Sequence, residues 1–150
     1  MADVIRHRGR YFDEFEVGQV FEGMSVTVTE SHIVSFGSIT HDWAGVHVDE
    51  EYAKTRPFGR RMAHGMLTAS LAVSGMQPYI YRTAAGHLGE QFTFRAPVFI
   101  DDTIHGTIEV VEKTAKSRWG LVRFRHLVKK TTGEVVLEAE SLLAMAYAPK

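Results

Sequence analysis

Asp42 and His47 are the side chains in this sequence best placed to do acid/base chemistry. They stand in the run Thr40-His41-Asp42-Trp43-Ala44-Gly45-Val46-His47-Val48-Asp49. A carboxylate close to an imidazole is a usual general acid/base pair. On an unbroken α-helix, positions five apart sit about 140° apart around the axis and do not meet. A helix that stops at Gly45 lets the chain turn and carry His47 back toward Asp42. Asp42 also lies beside Ile39, at the edge of an apolar stripe, which points its carboxylate inward. Two readings stay open. Asp42 and His47 form a working pair, or Asp42 bonds a loop and His47 is a satisfied loop histidine.

His64-Gly65-Met66 is the second candidate. It opens the stretch Met62 to Tyr81, which contains no Asp, Glu, Lys or Arg. The first N–H groups of a helix lack intrahelical acceptors and sit at the positive end of its dipole. A glycine there lets a substrate approach the backbone closely. Such an end can hold an oxyanion. The competing reading is that Gly65 only lets the helix pack tightly. Arg60 and Arg61 stand just ahead and are candidate phosphate contacts. Lys113, Lys116, Arg118, Arg123, Arg125, Lys129 and Lys130 form a basic run that reads as a solvated sheet face or as a phosphate site. Trp43 and Phe58 read as core residues, with Phe58 in a turn able to overhang the site. Met66 and Met76 read as core packing.

Composition narrows the chemistry. There is no cysteine, so disulfides, thiol nucleophiles and thiolate metal sites are absent. Eight histidines invite zinc. His41 and His47 are six apart and no compact ligand set follows, so no metal is expected. A formal net charge of −1 gives no electrostatic reason to expect nucleic acid or an anionic membrane as partner. With 150 residues, 45% hydrophobic and 23% charged, the sequence reads as one soluble domain over 1–150. Arg6, Arg8 and Arg10 interrupt any signal-peptide core, and the expectation is a cytoplasmic protein.

The elements that must position these residues follow from periodicity. Met1 to Arg10 reads as a loose arm whose end Tyr11 and Phe12 pin. Glu16 to Gln19 is a turn, and Val20 to Thr29 a strand. Thr29 or Ser31 caps a helix on which Ile33, Phe36, Ile39, Thr40 and Trp43 recur at steps of three and four. Asp49 caps a turn from Glu50 to Lys54, and Pro57 forces an extended or turned Arg56. The charge-free stretch from Met62 reads as a helix with protein on nearly all sides, and Gly75 and Pro78 offer its stop. Period-two alternation then marks Leu88 to Ala96, Thr103 to Glu112, Trp119 to Lys129 and Val135 to Tyr147 as antiparallel strands. Thr131 to Glu134 is the last turn. The fold class is α+β, a sheet curled around one central helix. One helix cannot cover a five-stranded sheet to its edges, so a partner subunit is expected.

Asp42-x4-His47, Asp49-x2-Tyr52-Ala53, the Pro57-Phe58-Gly59 turn and His64-Gly65-Met66-Leu67 together resemble the MaoC-like dehydratases, which include the (R)-specific enoyl-CoA hydratases. Tyr11-Phe12-Asp13 to Val17-Gly18 is similar to that family's usual opening. The resemblance implies a hot-dog fold, a homodimer or an assembly of dimers, and an acyl-CoA substrate with no cofactor. It implies reversible addition of water to a trans-2-enoyl-CoA. Asp42 and His47 would activate the water, and the Gly65 N–H, beside His64, would hold the thioester oxygen.

One departure stands out. The family commonly carries Asn-Pro between the Asp and the His, where this sequence has Ala44-Gly45. That implies a changed substrate preference, such as a branched or carboxylated acyl-CoA. Two alternatives compete. Hot-dog thioesterases generally use a carboxylate within the central helix, and Met62 to Tyr81 has none. A non-catalytic acyl-CoA-binding subunit is the third possibility, opposed by the retained Asp42 and His47.

Overall fold

The computed structural model describes residues 7–149. The chain order is a 3-10 turn at Phe12–Glu14, β1 Val20–Thr27, α1 Glu30–Thr40, α2 Gly45–Val48, α3 Glu50–Lys54, α4 Gly65–Ser74, α5 Gln77–Ile80, β2 Ala84–Phe94, β3 Thr103–Ala115, β4 Gly120–Lys130 and β5 Val135–Met145. One antiparallel sheet forms in the order β1-β3-β4-β5-β2. β4 alternates as the sequence predicts, whereas β2 does not keep the two-residue period and leaves Phe94 half exposed. Val122, Phe124, His126 and Val128 of β4 all face inward, and the charged Arg123 and Arg125 between them face out. Among the described residues no helix is long and apolar enough to cross a membrane.

The core lies between the sheet and the helices in two clusters. One gathers Phe15, Met76, Val110, Phe124 and Leu143. The other gathers Ile33, Leu67, Ala69, Ile104, Val128 and Leu137. The central helix is present but divided. α4 ends after ten residues at Gly75, and Met76 folds into the core before α5 begins with Pro78 in its first turn. Proline is tolerated there because its missing N–H would have no intrahelical partner.

Met66 corrects the expectation of a core methionine pair. It is 50% exposed, while Met76 is buried. Met66, Leu88 and Phe94 are each about half exposed, the last two on β2. β2 is an edge strand, so one of its hydrogen-bonding rows is free.

The amino-terminal arm needs a second correction. The part within residues 1–6 lies outside the described residues. Residues 7–10 are not loose: Gly9 N–H donates to Tyr81 O at 2.7 Å and Arg10 N–H to Tyr79 O at 2.7 Å. The next residues close one end of the sandwich. Phe12 N–H donates to Ala146 O, and its ring meets Tyr147 edge-on at 5.2 Å, with the Lys113 ammonium over its face at 4.5 Å. A Cβ on Gly120 would lie 2.0 Å from that ring. With the ring held from three directions, Gly120→Ala should destabilise the fold by about 1–3 kcal/mol. A urea-unfolding midpoint equal to the parent's would refute this close packing.

Candidate active site

α1 opens where Thr29 N–H donates to His32 Nδ1 at 3.0 Å. It closes at His41, which takes the left-handed conformation (φ 60°) and donates its N–H to Gly37 O at 2.8 Å. A left-handed residue reverses the chain at once. Trp43 folds back over Gly37, where a Cβ would stand 2.8 Å from its ring. The helix therefore stops before Asp42, not near Gly45. Gly45 instead starts α2, and its reason for being glycine is Tyr52, whose ring would lie 2.6 Å from a Cβ there. Asp49 caps α3 as the sequence predicts, accepting from Tyr52 N–H at 3.0 Å.

This path brings Asp42 and His47 together. Asp42 is exposed, and its Oδ1 accepts the Ala44 N–H at 3.3 Å. His47 is buried on α2, with Nδ1 2.8 Å from Met62 O. A carbonyl oxygen only accepts, so Nδ1 carries the proton and Nε2 keeps a free lone pair. That state suits a base.

His64 is the third member, and sequence spacing did not tie it to the other two. It precedes α4 and is 1% exposed. The ring centroid lies 3.9 Å from that of His47, with 30° between the planes. The His64 ring is enclosed, so a substrate contact at this helix end would fall to the backbone. Gly65 beside it is exposed at the amino end of α4, where its N–H lacks an intrahelical acceptor. A Cβ at Gly65 would stand 3.2 Å from the Phe94 ring.

Asp42, His47 and His64 each place a donor atom within 4.8 Å of the others, which amends the expectation that no compact ligand set exists. His47 Nδ1 faces the Met62 oxygen and His64 Nε2 the Asp42 backbone oxygen, which leaves one nitrogen on each ring for another partner.

A groove of about 440 Å³ adjoins Gly65, walled by Phe58, Met62, Thr68, Phe94 and Pro97. Phe58 overhangs it and is half exposed, so it is a groove wall rather than core. Trp43 is likewise half exposed. A larger hollow of about 600 Å³ lies on the outer sheet face. Its Arg125 pairs with Glu109 and Glu140, so it offers a ligand little unpaired charge.

The candidate phosphate contacts fare unequally. Arg61 is occupied, its guanidinium 2.7 Å from Glu30 and 3.2 Å from Glu50. Arg60 lies over the Phe99 ring at 4.4 Å and donates to Ile100 O at 3.1 Å. In the basic run, Arg123 and Arg125 pair across strands with Glu112, Glu140 and Glu109, and Lys130 is held by Asp102 and Glu134. Lys113 donates to Phe15 O. These members are committed to carboxylates or to the backbone.

A further polar group lies inside the sheet. His126 Nε2 sits 2.7 Å from Ser141 Oγ, which donates to Glu90 Oε1 at 2.5 Å, and His87 Nε2 stands 2.6 Å from that same oxygen. Burial, and then the charge on His87, push His126 down to about 4. The signal in the sequence was a histidine on the inward phase of β4.

Comparison with known proteins agrees with this architecture. The MaoC-like domain matches residues 14–132. A 3-hydroxybutyryl-CoA dehydratase of Methylorubrum extorquens is 34% identical over 134 residues, 89% of this chain and 82% of the relative. An (R)-specific enoyl-CoA hydratase of Rhodospirillum rubrum is 32% identical over 139 residues, 93% of this chain and 92% of the relative. A solved structure from Archaeoglobus, described as a monoamine oxidase regulatory protein, superposes with TM-score 0.89 at 35% identity, covering 97% of this chain and 100% of that one. A double hot-dog protein of Mycobacterium tuberculosis superposes with TM-score 0.88 at 23% identity, over 97% of this chain and 47% of that one, which speaks for the fold. With the Asp42-x4-His47 turn and the His64-Gly65 helix end brought together on a hot-dog sheet, the chain belongs to the MaoC-like dehydratase family.

Proposed function

We propose that the protein is a hydro-lyase that adds water reversibly to a trans-2-enoyl-CoA, or in reverse dehydrates a 3-hydroxyacyl-CoA. The observation that carries this is the meeting of Asp42, His47 and the amino end of α4: His64, the neighbour of Gly65, stacks on His47. The Asp42 carboxylate orients a water whose proton passes to the free Nε2 of His47. The hydroxide attacks the β-carbon, and the π electrons move onto the thioester oxygen. The Gly65 N–H stabilises that oxygen as it becomes an enolate, where charge develops in the transition state. The enolate then collapses, and the same proton is delivered to the α-carbon. Water and one proton are all that move, and no cofactor enters. The relatives named as a dehydratase and a hydratase support this class.

The groove at Gly65 suits the apolar part of the thioester, and Arg60 is the better placed of the two candidate phosphate contacts. A second copy of the chain is proposed to pair at the edge strand β2, giving a homodimer. Ala44-Gly45 leaves α2 without a side-chain cap. This departure from the family's Asn-Pro is the basis for proposing a branched or carboxylated acyl group.

The test is loss of the conjugated thioester absorbance when a short trans-2-enoyl-CoA is added to the purified protein. Hydration supports the proposal. Release of CoA thiol without hydration would make it a thioesterase, although α4 holds no carboxylate to serve one. CoA binding without turnover across chain lengths would make it a binding subunit.

A further inference from the structure

We propose that His64 is a positioning residue that locks the Asp42 turn over the amino end of α4. This rests on the hydratase reading above. His64 Nε2 lies 2.9 Å from the backbone oxygen of Asp42. That carbonyl only accepts, so Nε2 carries the proton. Nδ1 is then bare, and it is buried with no partner. The ring packs against Phe36 of α1, at 5.0 Å between centroids, and against His47 of α2, at 3.9 Å. A single imidazole thus touches α1, the Asp42 turn and α2 while its own backbone begins α4.

Three observations separate this from ordinary packing. The residue preceding a helix is where Ser, Thr, Asp or Asn stabilises by accepting a backbone N–H. The His64 side chain makes no such bond and is turned toward Asp42 instead. A buried nitrogen without a partner is unfavourable, and a phenylalanine of similar shape would avoid it. Stability alone therefore favours another residue here on both counts. Lastly, Asp42 itself is exposed and sits on a turn. Beyond its own turn, its peptide is held by His64 alone among the described hydrogen bonds.

The consequence is geometric. Gly65 N–H and the His64 ring belong to adjacent residues, so the ring fixes the spacing between the oxyanion donor and the water-activating pair. Losing the Nε2–H donor frees the Asp42 peptide without removing Asp42, His47 or Gly65. A misplacement of about 1 Å in such a site costs about a hundredfold in rate.

Two variants test this. His64→Phe keeps the stack and removes the donor. His64→Gln keeps an N–H near the Nε2 position. With trans-2-enoyl-CoA as substrate, His64→Phe should lower kcat about a hundredfold while KM and the unfolding midpoint stay near parental values. His64→Gln should recover to within about tenfold of the parent. Equal activity of His64→Phe and parent overturns the proposal. So does equal loss in both variants, or a loss that follows a fall in the midpoint. Imidazole 15N shifts give a readout that does not need turnover: His64 should be the Nε2–H tautomer and His47 the Nδ1–H tautomer. The opposite tautomer at His64 breaks the proposal whether or not the hydratase reading stands. A parent with no hydratase activity, but with the expected tautomers, would overturn the function and leave the Asp42 tie in place.

Discussion

Asp42→Asn is expected to lower kcat for hydration of a short trans-2-enoyl-CoA by about a thousandfold with little change in KM. Asparagine keeps an oxygen to accept the Ala44 N–H, so the turn survives and only the negative charge is lost. In the proposed mechanism the charge on Asp42 orients the water and stabilises the imidazolium that forms on His47. His47→Asn is the matching variant. Its amide can donate to Met62 O as Nδ1 does now, while offering no nitrogen base. The loss should be of the same order. The double variant should be scarcely worse than either single one, because members of one catalytic unit act non-additively. Steady-state kinetics on variants with parental circular dichroism decide the matter. Retention of more than a tenth of the parental kcat in either single variant would remove the pair from the mechanism.

Acid should destabilise this protein through His126. In the folded state burial, and then the charge on His87, hold His126 down to about 4, against 6.5 for the free side chain. Between those values the unfolded chain binds the extra proton and the folded chain does not. Stability is therefore complete above about pH 6.5 and falls as pH drops toward 4. The full difference corresponds to about 3 kcal/mol. His126→Gln can still donate toward Ser141 and cannot titrate. Urea unfolding of parent and variant at a series of pH values isolates the effect of His126 and its coupling to His87, because groups that do not interact with His126 contribute equally to both. The parent should lose stability relative to the variant between pH 6.5 and 4. Parallel curves would show that His126 is not excluded from water as described.

What the sequence disclosed follows from how locally each feature is encoded. The strands were legible because half-buried sheets alternate every second residue, as in Val122, Phe124, His126 and Val128. The central helix was legible because surface helices carry charge and residues 65–74 carry none. Asp49 as a cap was legible because its partner, Tyr52, is three residues away. Gly45 misled because a glycine after an amphipathic stretch looks like a stop. The actual constraint is a tyrosine ring seven positions on. His41, which ends α1 in a left-handed conformation, carries no glycine signal at all. Asp42 and His47 were found by spacing and resemblance. The bond between His64 and Asp42 spans 22 positions and no periodicity marks it. The inward phase of His126 was visible, but its partners Ser141 and Glu90 lie on two other strands.

The two ends of the described chain lie side by side. Phe12 N–H reaches Ala146 O at 2.8 Å, and Ala148 N–H reaches the Asp13 carboxylate at 3.0 Å. Joining head to tail would close only a small loop, for which the entropy cost is modest. New termini could then be cut at the exposed tip around Thr132, on the far side of the sheet connections from that seam. A circularly permuted version of this domain should keep Asp42, His47 and Gly65 on one uninterrupted length of chain.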